Sequence, residues 1–248
     1  MQWSDAGIVL SARKHGETSA IVSLLTRDHG RHSGLVRGGS GRRKRGVLQP
    51  GNEVAATWRA RLPDHLGTYT IELTAARPAA FLDDPLRLAG LSAACAVAEV
   101  AMPEREPHPA AFAGLTAFLA NLDQDLWSAV YVQWELGLLA ELGFGLDLSS
   151  CAATGVSENL VYVSPRTGRA VSAQAGAAYR ARLLPLPAFL VSNGRASAAW
   201  SWLDIRDGLA LTGYFLERHV LAPHDGTVPA ARRRLADRIA DSASTSGV

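Results

Sequence analysis

VAATWRARL, residues 54–62, places Val54, Ala56, Trp58, Ala60 and Leu62 on one side of an extended chain and Ala55, Thr57, Arg59 and Arg61 on the other. That alternation predicts a strand with one face toward a core and the other a cationic surface. Upstream, Gly7–Arg13 and Ser19–Thr26 are rich in Ile, Val and Leu, and a break at Asp28-His29-Gly30 leads into Arg31–Arg37. Downstream of a turn at Pro63-Asp64, Tyr69, Ile71 and Leu73 alternate with Thr68, Thr70 and Glu72. Five short strands in about 75 residues predict a small barrel. An OB-fold barrel is a five-stranded solution that hides sheet edges and leaves one face for nucleic acid, and an SH3-like barrel satisfies the same pattern.

Past Pro78 and Pro85 the apolar period becomes helical. Leu88, Leu91, Cys95, Ala98 and Met102 recur at three and four, as do Trp127, Tyr131, Trp134, Leu138 and Leu142, with Ser128, Gln133 and Glu135 off that stripe. Such stripes read as core, and Cys95 as packing. Pro107–Leu122 reads as a further helix. About 143–179, the pattern dissolves into turns and short strands, an inserted turn-rich unit. Helix resumes over Leu203–Leu221, and Pro229 starts a last helix carrying Arg232, Arg233, Arg234 and Arg238. The expected architecture is α+β: an N-terminal five-stranded OB-fold β-barrel (1–79), then a mainly α-helical C-terminal domain (80–241) with the turn-rich insertion, and a disordered tail at 242–248.

The net charge of +2 hides a polarity. Met1–Ala79 carries twelve Lys or Arg against six Asp or Glu, a charge of +6, whereas Ala80–Val248 carries thirteen against seventeen, a charge of −4. A basic module for a polyanion, followed by a mildly acidic one with another task, fits this split. At 48% apolar and 19% charged residues in 248, the chain has globular composition. Its longest stretch free of charged residues, Pro107–Leu122, is too short and too interrupted to span a bilayer. MQWSDAGIVL lacks the pattern of a secretory signal, and Cys95 and Cys151 give no disulfide framework, so a cytoplasmic setting is expected.

Catalytic signatures are missing from the sequence. Only Lys14 and Lys44 occur, each after arginine, so no glycine-rich phosphate loop ends in the lysine that nucleotide-driven motors need. HExxH, GxSxG, GxGxxG and paired CxxC are absent. A Cys151 nucleophile paired with one of seven histidines is compatible with the sequence, but cysteine is commonly buried and inert. Binding is the expected role, with no enzyme activity, cofactor or metal.

Arg37–Arg45, RGGSGRRKR, packs five cations and four small residues into nine positions, which reads as a mobile basic loop. Clustered arginines grip phosphates in pairs of hydrogen bonds and release condensed counterions. With Arg13, Lys14, Arg31, Arg59 and Arg61, the loop residues Arg37, Arg42, Arg43, Lys44 and Arg45 make the candidate DNA-binding set. Trp58 and Tyr69 lie on the expected core faces, so backbone phosphates rather than stacked bases should dominate.

Four further stretches complete the picture: GIVLSARKHGETSAIVSLLTRDHGRHSGLVRG (7–38), LQPGN (48–52), WRARL (58–62) and ELGFGLDLSSCAATG (141–155). Together, and in this order, they resemble the RecO family of DNA repair proteins over nearly the whole chain up to about Leu190. The resemblance implies an OB-fold followed by a helical domain, and a recombination mediator of the RecF pathway. It implies binding of single- and double-stranded DNA, annealing without ATP, the acidic tail of single-stranded-DNA-binding protein and RecR as partners, RecA indirectly, and a place near the nucleoid. An acidic tail with apolar end residues needs an arginine-rimmed pocket, for which Arg105, Arg180, Arg182 and Arg218 are candidates. Some members hold zinc with two CxxC pairs in a zinc-ribbon-like insertion. Here the corresponding stretches read Cys151-Ala152-Ala153-Thr154 and Ser172-Ala173-Gln174-Ala175, so no zinc is expected. Packing of Leu146, Leu148, Val161, Tyr162 and Val171 is expected to hold the unit instead. An RNA-binding OB protein, such as a ribosome-associated factor, and a protein adaptor with a merely solvated loop are the alternative readings.

Overall fold

Strand β1 runs from Gln2 to His15, beyond the expected Gly7–Arg13 at both ends. The computed structural model, which describes residues 1–191 and 200–245, shows why. The first half of β1 pairs with β4 (Glu53–Arg59), Trp3 opposite Trp58, and the second half with β2 (Ser19–Thr26), a bulge between Val9 and Ser11 letting the strand turn from one partner to the other. Strands β3 (Gly30–Val36) and β5 (Thr68–Ala75) complete a closed barrel in the order β1-β2-β3-β5-β4. Following paired residues around it, Arg13 leads to Ile21, Leu35, Thr68, Arg59 and back to β1 at Gln2. One circuit thus displaces the register by eleven residues along β1, the stagger that closing tilted strands demands. The weak place is the seam between β3 and β5, joined by the single parallel pair Leu35 and Thr68.

Alternation places the barrel core as expected over most of its length: Val54, Ala56 and Trp58 from β4 are buried with Tyr69, Val9, Val22, Leu24 and Val36. It stops sooner than the pattern suggested. β4 ends at Arg59, leaving Leu62 in the next loop 51% exposed, and Leu73 on β5 is 42% exposed. Between β3 and β4, residues Arg42–Val47 form a short helix, α1, where the glycine-rich sequence predicted a mobile loop. Asn52 explains it, because its side-chain amide donates to the carbonyls of Gly46 (2.8 Å) and Val47 (2.9 Å) and ties down the helix end.

The chain divides into two compact units, Met1–Asp123 with Pro229–Arg232, and Gln124–Val228 with the segment from Arg233. Besides the barrel and α1, the first unit holds the longer helices α2 (Pro85–Ala101) and α3 (Pro109–Ala120). Asp84 starts α2 by accepting from the amides of Leu86 and Arg87, with Pro85 at the first helical position. Leu91, Cys95, Ala98 and Met102 bury the expected stripe, and Leu91 lies so close to Gly51 that a Cβ there would be 2.5 Å from its side chain. Burial pushes the Cys95 thiol up to about 12, aided by Glu99, which suits packing rather than chemistry.

In the second unit, α4 (Trp127–Glu141) buries Trp127, Tyr131, Trp134 and Leu138 as expected, but also Ser128 and Glu135, which the stripe put on its polar side. Glu135 is fully buried because it is satisfied: it accepts from the Tyr131 hydroxyl at 2.9 Å and from the Thr212 hydroxyl. The turn-rich part contains β6 (Leu160–Val163), β7 (Ala170–Ser172), the one-turn helix α5 (Ala173–Gly176) and β8 (Leu184–Pro185), in a small sheet ordered β7-β6-β8. Its core differs from expectation. Leu160, Val163, Ala170, Val171 and Cys151 are buried, whereas Val161 is exposed and Leu146, Leu148 and Tyr162 are only partly covered, since an irregularity between Leu160 and Tyr162 shifts the alternation. Helices α6 (Ala188–Val191), α7 (Trp202–Phe215) and α8 (Ala230–Thr245) follow. Helix α8 takes in the first four residues of the tail expected to be disordered, because Ala243 continues the buried line of Leu235 and Ile239; residues 246–248 lie outside the described residues.

Candidate nucleic-acid interface

Seven of the ten candidate cations meet at one end of the barrel. The turn between β1 and β2 brings Arg13 and Lys14 opposite Ile21 and Ala20, and Ala20 in turn pairs with Val36, just before Arg37. The segment into α1 is stitched to the same turn: the Ser40 amide donates to the Thr18 carbonyl (3.0 Å) and its hydroxyl to the Glu17 carbonyl (3.1 Å). The Lys44 ammonium donates to the Arg37 carbonyl (2.8 Å), and the Arg45 guanidinium to the Ser40 carbonyl (3.2 Å). Arg42 and Arg43 sit on the same short helix, so three chain segments place Arg13, Lys14, Arg37, Arg42, Arg43, Lys44 and Arg45 together, all exposed. Among the described residues no carboxylate is ion-paired with any of them.

The other three stand apart. Arg59 ends β4 opposite Gln2, at the other end of β1 from Arg13, and Arg61 follows in the loop to β5; both are exposed. Arg31 is occupied. Its Nε donates to the Met102 carbonyl at 2.8 Å, and its own carbonyl accepts from the Arg105 amide at 2.7 Å, so it fastens the chain beyond α2 along the free edge of β3. Gly30 allows the approach: it has φ +67, and a Cβ there would lie 1.9 Å from the Glu106 carbonyl oxygen.

Arg105, proposed from sequence as part of a partner pocket, is in the first unit and reaches across the barrel seam. Its guanidinium donates to the carbonyls of Pro63 (2.6 Å), Asp64 (3.2 Å) and His65 (3.0 Å) in the loop between β4 and β5. Arg180, Arg182 and Arg218 belong to the second unit and are exposed, Arg218 donating to the Tyr214 hydroxyl at 2.7 Å and covering its ring.

Sequence reasoning missed an aromatic column at the seam end. Trp3 stacks on His29 at 4.0 Å between centroids and on Trp58 at 5.7 Å, while His29 Nδ1 is 3.1 Å from the buried Asp5 carboxylate. His32 lies edge-on to both tryptophans, and burial, with the nearby Arg105 charge, pushes its ring down to about 4. Trp3 at the chain start and His29 in a turn carry no alternation signal, which is why pattern did not find them.

The four positions that would carry zinc ligands are also close together. The Ser172 amide donates to Cys151 Sγ at 3.3 Å, and the Ala175 amide to Ser172 Oγ at 3.4 Å. Hydrogen bonds from the Ser172 side chain, then the Thr154 side chain and the Ser172 amide, pull the Cys151 thiol down to about 6. One thiol, two hydroxyls and the Ala175 methyl do not fit a tetrahedral zinc. No cluster of three metal-binding side chains occurs among the described residues, and no helix among them is long and apolar enough to cross a membrane.

Comparison with known proteins identifies the family. The family model for the Recombination protein O N terminal matches residues 1–77, and that for the Recombination protein O C terminal matches 82–226. The chain belongs to the RecO family. It is 56% identical over 250 aligned residues to DNA repair protein RecO of Rhodospirillum centenum, covering 100% of this chain and 98% of that protein. With the proteins of the same name from Rhodospirillum rubrum and Phenylobacterium zucineum, identity is 53% and 54%, covering 96% and 98% of this chain and 96% and 99% of theirs. DNA repair and recombination is therefore the setting in which the cationic barrel end is to be understood.

Proposed function

We propose that the chain is a recombination mediator whose OB-type barrel binds single- and double-stranded DNA through its cationic end and anneals complementary strands without ATP. The observation that carries this is the gathering of seven exposed cations, none ion-paired to a carboxylate among the described residues, on one barrel end of a RecO-family chain. Two strands approach poorly because each phosphate chain repels the other. A shared polycationic surface screens both, and exchange of counterions for arginine supplies the binding free energy. Arg59 and Arg61, elsewhere on the same barrel, offer separate phosphate contacts, whereas Arg31 serves the barrel seam.

The second unit is the proposed site for protein partners: RecR, and the acidic tail of single-stranded-DNA-binding protein, with RecA loading as the result. Arg180, Arg182 and Arg218 are its exposed candidates. Strand annealing measured without nucleotide, on bare DNA and on DNA coated with single-stranded-DNA-binding protein, tests the proposal. Annealing on both substrates is expected, and a chain that retains DNA but never accelerates annealing would remove the mediator reading.

A further inference from the structure

The cationic end of the barrel also contains a cleft of about 350 Å³ between the β1–β2 turn and α1. Ala12, Ala20, Leu48 and Pro50 give it an apolar floor, and Lys14 and Arg45 stand among its lining residues. Its shape is built in. Gly39 presses so closely that a Cβ there would lie 2.8 Å from Ala20 Cβ, and Ser40 is anchored to the carbonyls of Glu17 and Thr18. Arg45 is held by the Ser40 carbonyl, and Asn52 fixes the end of the helix that carries it. The volume falls at the small end of the range for ligand pockets, roughly 300–1,000 Å³, and small side chains leave the floor open to a flat ring.

We infer that this cleft seats one unpaired nucleotide of a DNA strand, its base on the Ala12, Ala20 and Leu48 floor and an adjoining phosphate against Lys14 and Arg45. The inference rests on the DNA-binding reading and adds strand selectivity to it. The joined features favour a nucleotide: an apolar floor alone would suit any small hydrophobe, and exposed cations alone any anion. A base in a duplex is stacked, paired and walled off by two phosphate chains, so taking it into the cleft requires unpairing that costs a few kcal/mol. The cleft therefore favours single strands, and a base that pairs leaves it, while the surrounding cations hold either form.

The test plugs the cleft without touching a charge. Ala12→Trp on β1 and Gln49→Trp on the opposite side both replace exposed residues, so either variant suffices provided its thermal melt matches the parent. Binding of a fluorescent oligothymidylate and of a duplex of the same length is followed by anisotropy at several salt concentrations. The expected result is a loss of about tenfold in single-strand affinity, with a salt slope lower by at most the roughly 0.7 unit of one phosphate contact, and no change in affinity or slope for duplex. Unchanged single-strand affinity overturns the cleft assignment, and equal weakening of both forms overturns the selectivity. An acidic peptide with apolar end residues that binds the parent but not the plugged variant, while oligothymidylate is unaffected, makes the occupant a protein segment instead. If the parent itself holds neither DNA, the broader reading fails, which is a separate outcome.

Discussion

At the seam end of the barrel, cations are spent on structure: Arg27 pairs with Asp28 and approaches Asp5, Arg31 holds the Met102 carbonyl, and Arg105 holds three carbonyls of the β4–β5 loop. At the turn end, seven Lys and Arg side chains point to solvent, their few hydrogen bonds going to local carbonyls and none of their charges met by a carboxylate among the described residues. A cation whose hydrogen bonds are filled within the fold has little left for a phosphate. A crowd of unneutralised ones raises the free energy of the unbound protein through self-repulsion and is relieved by a polyanion. The same residue type thus separates into fasteners and a docking surface according to what lies opposite it.

The largest expected effect breaks the docking end alone. Reversing Arg42, Arg43, Lys44 and Arg45 to Glu should weaken binding to a short oligonucleotide at least about 100-fold near 0.1 M salt and flatten its salt dependence, since each lost phosphate contact removes about one unit of slope. Thermal stability should hardly move, because none of the four is buried. Binding that survives intact would show that these residues are only solvated.

The fastening end should respond in the opposite sense. Arg105→Ala leaves three carbonyls of the β4–β5 loop without their donor, and with hydrogen bonds to charged groups worth about 1.5–3 kcal/mol each, a stability loss of about 3 kcal/mol is expected in urea unfolding. DNA affinity per folded molecule should stay as it was. A variant equally stable but deficient in DNA binding would move Arg105 from fastener to contact.

Acid sharpens the same contrast through His32. Its ring takes a proton at about 4 in the folded barrel against 6.5 unfolded, so the unfolded chain binds more protons between those values. Stability is then full above about pH 6.5 and falls as the pH drops toward 4, by about 3 kcal/mol in all. Denaturant titrations at pH 7 and pH 4.5 should show the loss, and His32→Gln should reduce the pH dependence. A pH-independent wild type would mean that the ring is charged in place.

The smallest effect concerns the second unit. Cys151→Ser should cost about 1 kcal/mol, the scale of one hydrogen bond and some packing, and a strong chelator should leave the melting temperature of the parent unchanged. A chelator-induced fall would show a metal holding this unit after all.

What the sequence made legible follows from locality. Strand β2 falls at the residues expected, because its apolar run is bounded by turns at both ends, and VAATWRARL gave the right inner face as far as Trp58. The α1 helix was hidden by a glycine-rich, cationic sequence, and the Asn52 side chain that ties down its end lies several residues on. Arg31 and Arg105 could not be told from surface cations, since the groups they hold are 71 residues away in one case and 40 to 42 in the other. The family resemblance, not the spacing, foreshadowed the grouping of Cys151, Thr154 and Ser172, and nothing in the sequence showed that hydrogen bonds join them.

The most direct measurement is the affinity of the intact protein for a single-stranded oligonucleotide as a function of salt. If seven cations each displace a counterion, the slope of log K against log salt should be about −5, from about 0.7 per phosphate contact on a single strand. A slope near zero, or no retention of oligonucleotide even in dilute buffer, would contradict the assignment of the turn end of the barrel as the DNA-binding surface.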